Sequence, residues 1–203
     1  MTVYLIRHGE TDYNVSHRFQ GMWVESHLTE NGKAQARAAS ALLKDITFDK
    51  LYVSAAERTR ETAALLFPDR DDAVYDDDLR EIHVGWLADR YIADIRKTHG
   101  ELYDKAVSDR DYSPFGGETL EEHKARGKRA MDRVLNSGGE KVAVVSHGGT
   151  IRVLLWALTG IEPSATALLP NCSYAVVEIK NGKGMLKQFG LVPDPAANAT
   201  EAY

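Results

Sequence analysis

A chain of 203 residues with 43% hydrophobic and 27% charged residues has the composition of a packed soluble domain, which excludes wholesale disorder. The 25 Lys and Arg against 30 Asp and Glu leave a formal net charge of -5, so no nucleic-acid partner is expected. The single cysteine, Cys172, excludes an intramolecular disulfide and a cysteine-rich zinc site, and the apolar run Val3–Ile6 ends at Arg7, too short for a signal peptide or membrane span. A cytoplasmic protein with no membrane partner follows as the expectation.

In chain order, Val3-Tyr4-Leu5-Ile6 reads as a strand buried on both faces. Thr29 is an N-cap for a helix to Lys44, with Ala34, Ala38 and Leu42 as its inner stripe. Leu51-Tyr52-Val53 is a second strand, followed by a helix with Thr59, Ala63 and Phe67 on one face. The acidic run from Asp69 to Asp78 reads as a solvated connection. It lacks the glycine and terminal glutamate of a calcium loop. Trp86 to Ser108 has mixed helical spacing anchored by Ile92, Ile95 and Leu102, and Trp86 reads as core.

Thr119-Leu120-Glu121-Glu122 is a capping box opening a helix with Leu120, Gly127, Ala130 and Val134 inside. Val142–Val145 is a buried strand that runs into Ser146-His147-Gly148-Gly149-Thr150 and an apolar helix through Leu158. Tyr174–Ile179 and Met185–Phe189 pair through an Asn181-Gly182 turn. Strands alternating with helices predict an α/β fold: a three-layer αβα sandwich, mainly parallel, with an antiparallel C-terminal edge. Residues 1–192 are expected to form one domain and 193–203 a loose tail.

Ligands of such sheets bind beyond the carboxyl ends of the strands. Two segments there share a logic: Arg7-His8-Gly9 leaves the first strand, and His147-Gly148-Gly149 leaves the strand ending near residue 145 and starts a helix. Glycine allows close approach to the backbone, the helix N-terminus favours an anion, and Arg7 supplies a permanent charge suited to phosphate. One His-Gly at a strand exit is an ordinary turn; two, one with an arginine, favour an anion site.

Arg7-His8-Gly9-Glu10-Thr11 with Asn14 resembles the signature of the histidine phosphatase superfamily, the phosphoglycerate-mutase-like family. Further blocks follow in the family's order: Gln20-Gly21 with Leu28-Thr29, Ser54 to Arg58 and Thr62-Ala63, Leu79-Arg80-Glu81 with Gly85-Trp86, Gly116-Gly117-Glu118-Thr119 with Arg126, and Val144 to Gly149. The resemblance covers nearly the whole chain. It implies that His8 is the nucleophile that becomes phosphorylated and that Glu81 protonates the leaving oxygen. It also implies that Arg7, Arg58 and His147 neutralise the phosphate oxygens, with Asn14 and the Gly148 amide as further donors and Gln20 and Gly21 among the phosphate-binding residues. Fixed cations let a neutral imidazole attack phosphorus with no metal and no cofactor. Three departures, at Val24–His27, Ala55-Ala56 and Leu87-Ala88, lie where loops shape the pocket and not at a proposed catalytic residue.

The expected function is a metal-independent phosphatase acting on a small phosphorylated metabolite. A phosphoglycerate mutase and a non-catalytic phospho-ligand binder are the alternatives. A homodimer is open to such a chain. The segment from Leu87 to Ser108 reads as a helix with a charged outer face and only Arg90, Arg96 and Lys97 as partners for a second phosphate. His99 and His123 read as solvated helix residues, and Cys172 as a small buried hydrophobe.

Overall fold

A computed structural model describes residues 1–192; the expected C-terminal tail, 193–203, lies outside the described residues. Six strands form one sheet: β1 (Thr2–Arg7), β2 (Lys50–Ser54), β3 (Val74–Asp76), β4 (Lys141–Ser146), β5 (Tyr174–Lys180) and β6 (Lys183–Leu191). Their order is β3-β2-β4-β1-β5-β6. The pairs β1–β4, β2–β4 and β2–β3 are parallel, whereas β1–β5 and β5–β6 are antiparallel. The fold is the expected α/β sandwich. Asn181 and Gly182 both have positive φ, 51° and 73°, which the tight hairpin turn between β5 and β6 requires.

Among the described residues six α-helices accompany the sheet: α1 (Asp12–Val15), α2 (Glu30–Leu43), α3 (Glu57–Leu66), α4 (Ile92–Asp109), α5 (Leu120–Leu135) and α6 (Gly148–Thr159). The period-two alternation of the central strands feeds two cores. Val3, Leu5, Val142 and Val144 pack with Ala130, Met131 and Val134 of α5 and Ile151, Leu154 and Leu155 of α6. Ile6, Ala143 and Val145 face the other way, towards Ala36, Ala39 and Leu43 of α2 and Ala63 and Leu66 of α3. A third cluster (Ile82, Val84, Leu87, Ile92, Ile95, Tyr103, Tyr112 and Phe115) joins α4 to the loops beside it. No helix among the described residues is long and apolar enough to cross a membrane.

Four expectations need correction. The inner face of α2 is Gly32, Gln35, Ala36, Ala39 and Leu43, while Leu42 is 48% exposed. Its phase is set by Gly32, where a Cβ would lie 2.0 Å from the Glu10 carbonyl oxygen. The acidic connection contains edge strand β3, and the carboxylates at its end are paired: Arg133 binds Asp76 and Asp78, Arg129 binds Asp78, and Arg80 binds Asp77. Within α4 the buried anchor is Tyr103 and not Leu102, because the helix kinks at His99 and shifts the later positions. Trp86 is 45% exposed, with its ring edge-on to Phe115.

Candidate active site

The parallel register pairs Arg7 with Ser146, so His8 and His147 leave neighbouring strands side by side, ring centroids 5.3 Å apart. The turn after β1 is fixed from several directions. Gly9 N–H donates to Thr62 Oγ1 (3.1 Å), and Glu10 N–H donates to Gln35 Oε1 (2.9 Å). The His8 carbonyl accepts from Asn171 Nδ2 and from the Cys172 amide. A Cβ at residue 9 would meet the Gly32 carbonyl oxygen at 2.6 Å, so glycine is required there by close packing against α2. Glu10 is structural: its carboxylate accepts from Thr29 Oγ1 and Asn31 Nδ2 at the start of α2.

His8 is 3% exposed, and its Nδ1 lies 2.7 Å from the Gly9 carbonyl oxygen. A carbonyl only accepts, so Nδ1 carries the proton and Nε2 keeps its lone pair. Burial above all, then the charges of Arg58 and Arg7, hold the imidazole well below its ordinary pKa. The ring is therefore neutral near neutral pH and nucleophilic at Nε2.

His147 has the same sequence context and a different arrangement. Arg58 Nε donates to its Nδ1 at 3.1 Å, which places the ring proton on Nε2, donated to Ser54 Oγ at 2.7 Å. Both nitrogens are engaged, the ring is fully buried, and burial with the Arg58 charge next holds it neutral. As it stands His147 presents no N–H to the cavity and no positive charge; it orients Arg58. This differs from the expected direct neutralisation of phosphate.

Arg58 is 1% exposed and also donates to the carbonyls of Gly21 (3.0 Å) and Val24 (3.2 Å), tying the 20–24 loop to α3. Gly21 sits at φ 63°, in the left-handed region. Arg7 donates to the Leu169 carbonyl at 2.6 Å. Asn14 Oδ1 accepts from the Thr11 amide in the capping box of α1. A cavity of roughly 200 Å³ is lined by Arg7, His8, Asn14, Gln20, Gly21, Arg58, Glu81 and Gly148, which brings together every expected site residue except His147.

Glu81 stands on the wall facing the start of α6. Its Oε2 accepts from the Gly149 amide (2.9 Å), and its Oε1 accepts from the Ile82 amide (2.9 Å) and lies 3.1 Å from Thr150 Oγ1. The backbone leading to it is clamped by Arg126, which donates to the carbonyls of Asp78 (2.8 Å), Arg80 (2.7 Å) and Glu81 (3.3 Å) and is neutralised by Glu118 at 2.9 Å. The Gly-Gly-Glu-Thr block and Arg126 thus position the acid without facing the cavity themselves.

Sequence reasoning missed several groups. His123 is fully buried and not solvated; its Nε2 lies 3.0 Å from Thr150 Oγ1, behind Glu81, and burial holds its pKa well down. Arg110, Arg152, Tyr112, Tyr103 and Leu168 also line the cavity. Arg152 had a usable signal, a lone cation in the apolar run Thr150-Ile151-Arg152-Val153; Arg110, between Asp109 and Asp111, had none. Arg90, Arg96 and Lys97 do not line the cavity: Arg90 donates to the Trp86 carbonyl and Arg96 pairs with Asp104.

Chemically, the floor offers an uncharged imidazole nitrogen between guanidinium groups, with a carboxyl group on the wall. Residues 3–191 match the family model of the histidine phosphatase superfamily (branch 1). A metal-independent phosphoserine phosphatase of Arabidopsis thaliana is 32% identical over 190 residues, covering 91% of this chain and 79% of that protein. A 2,3-bisphosphoglycerate-dependent phosphoglycerate mutase of Methylobacterium sp. (strain 4-46) is 34% identical over 172 residues, 77% of this chain and 80% of the mutase. Among solved structures, the α-ribazole phosphatase of Shigella flexneri superposes with a TM-score of 0.85 at 26% identity, covering 94% of this chain and 96% of that one. A mycobacterial glucosyl-3-phosphoglycerate phosphatase gives a TM-score of 0.85 at 27% identity, covering 93% and 98%. With the signature residues assembled around one cavity and the family model spanning almost the entire sequence, the chain belongs to the histidine phosphatase superfamily, branch 1.

Proposed function

We propose that the protein is a metal-independent phosphatase that hydrolyses a small phosphomonoester through a phosphohistidine on His8. The observation that carries this reading is the His8 tautomer: Nδ1–H is held by the Gly9 carbonyl, so the Nε2 lone pair faces the cavity on a ring kept neutral by burial and by two arginines. That lone pair forms the N–P bond as the ester P–O bond breaks, and the Glu81 carboxyl group gives a proton to the leaving oxygen. The Glu81 carboxylate then takes a proton from water, the water oxygen bonds to phosphorus, and the N–P bond returns its electron pair to Nε2. Arg7 and Arg58 offset the phosphoryl charge throughout, with Asn14, Gln20, Gly21 and the Gly148 end of α6 around the same oxygens. A phospho-ligand binder would need the arginines but neither a bare Nε2 nor a clamped carboxyl group.

Net hydrolysis is favoured over isomerisation because Arg90, ahead of α4, and Arg96 and Lys97, within it, do not line the cavity. One observation favours a mutase as the second reading: Arg110 and Arg152 line the Glu81 side, where a second anion of a retained intermediate could rest. The reaction decides. With 3-phosphoglycerate and catalytic 2,3-bisphosphoglycerate, the phosphatase reading expects inorganic phosphate to outpace 2-phosphoglycerate. Isomerisation much faster than phosphate release would establish the mutase.

A further inference from the structure

The cavity has a second cationic end. Arg110 follows α4 and is 9% exposed; its Nη2 donates to the Gly149 carbonyl at 3.0 Å, and its Nε is buried without a hydrogen-bond partner. Arg152, on α6, also has a buried, unpartnered Nε and lines the same cavity. Among the described residues neither has a carboxylate at ion-pair distance, whereas Arg18 is paired with Asp89, Arg80 with Asp77 and Arg126 with Glu118. The backbone of Arg110 is in the left-handed region at φ 56°, where glycine is the easier residue, so the chain carries a guanidinium at a conformational cost.

Both groups sit beside the acid. A Cβ on Gly149 would lie 2.5 Å from Glu81 Oε1 and 3.0 Å from Arg110 Nη2. Burial, with Arg110 as the next cause, weakens the hold of Arg152 on its proton. Arg110 is buried and Arg152 partly so, and like charges held near each other away from water are unfavourable unless an anion joins them. At Arg126, the internal member of these pairs, the fold supplies the carboxylate of Glu118.

We propose that Arg110 and Arg152 form an anion subsite on the Glu81 side of the cavity, which takes a carboxylate or a second phosphoryl group carried by the leaving alcohol. The inference rests on the phosphomonoesterase reading for its meaning: the substrate is a small monoester whose alcohol is itself anionic. Guanidinium forks suit both oxyanions.

The test compares glycerol 3-phosphate, with a neutral alcohol, with 3-phosphoglycerate (a carboxylate) and propane-1,3-diyl bisphosphate (a second phosphoryl). Charge-assisted hydrogen bonds predict kcat/KM higher by about ten- to a hundredfold for at least one of the anionic esters, and which one identifies the anion. Arg152→Gln should bring that ratio close to one, and Arg152→Glu should turn the preference towards phosphoethanolamine, in variants whose thermal unfolding remains cooperative. Binding of the same esters is measured by calorimetry on His8→Ala, so that the subsite is read without turnover. Equal affinity and equal kcat/KM for neutral and anionic esters would overturn the subsite while leaving the phosphatase intact. Absence of turnover with every ester, p-nitrophenyl phosphate included, would overturn the phosphatase, and a preference in calorimetry that Arg152→Gln abolishes in the His8→Ala background would still establish the subsite.

Discussion

His8 and His147 leave adjacent parallel strands, each followed by glycine, and the structure gives them opposite hydrogen bonds. At His8 a backbone carbonyl takes the Nδ1 proton and Nε2 is left bare. At His147 an arginine donates to Nδ1 and the Nε2 proton goes to Ser54. Two similar motifs therefore leave Nε2 bare on one ring and engage both nitrogens of the other. The difference lies in the second partner of each ring, which comes from residues distant in sequence, and so a motif alone does not disclose it.

The comparison breaks most readily at the nucleophile. His8→Ala should lower kcat by on the order of 10⁴ or more for every ester, since no other group in the cavity forms the N–P bond. Comparable turnover in that variant, followed as phosphate release, would remove the distinction between the two rings.

His147→Ala should cost less, about 10²- to 10³-fold in kcat, with weaker binding of inorganic phosphate, because Arg58 loses the acceptor that orients it. Its effect should appear with all substrates alike. A loss as deep as that of His8→Ala would give His147 a direct chemical part.

Both rings share one prediction with His123. All three are depressed in the folded state, with burial as the leading cause. The unfolded chain therefore takes up the protons first. Stability is fully present above about pH 6.5 and falls as the pH drops below it, the slope approaching about 4 kcal/mol per pH unit when all three are protonated on unfolding. Urea titrations between pH 7.5 and 5 check the slope, and a flat profile would mean that the rings take up protons in the native state as readily as in the unfolded chain.

The smallest effect sharpens the supporting role. Ser54→Ala leaves the buried Nε2–H of His147 without its acceptor and should cost about 1–3 kcal/mol of stability, with kcat reduced far less than by His147→Ala. Denaturant midpoints and kcat from one preparation test the pair of expectations.

Much of the scaffold was legible because local chemistry and burial agree. The Thr119–Glu122 capping box, the buried runs of β1 and β4 and the Asn181-Gly182 turn all stand where patterning puts them. Failures occur where a distant group decides. Alanines at 34, 36, 38, 39 and 41 leave the phase of α2 open until Gly32 meets the Glu10 backbone. Strand β3 is three residues long, on the sheet edge and exposed, so it has no apolar signature. His123 lies in a charged stretch of α5, and its burial follows from the packing of that helix against α6 and Thr150. The signature blocks brought eight cavity-lining cations, acids and donors within reach of sequence, namely Arg7, His8, Asn14, Gln20, Gly21, Arg58, Glu81 and Gly148. The far end of the cavity, with Arg110 and Arg152, belongs to no such block, in keeping with a region that adapts to the leaving group.

The most direct measurement locates the phosphoryl group. Wild-type protein mixed for milliseconds with a turned-over ester and quenched in alkali should yield a peptide phosphorylated on His8, with phosphorus bonded to Nε2 by NMR, because the Gly9 carbonyl keeps Nδ1 protonated. Phosphate on Nδ1, on His147, or on no histidine at all would contradict the account.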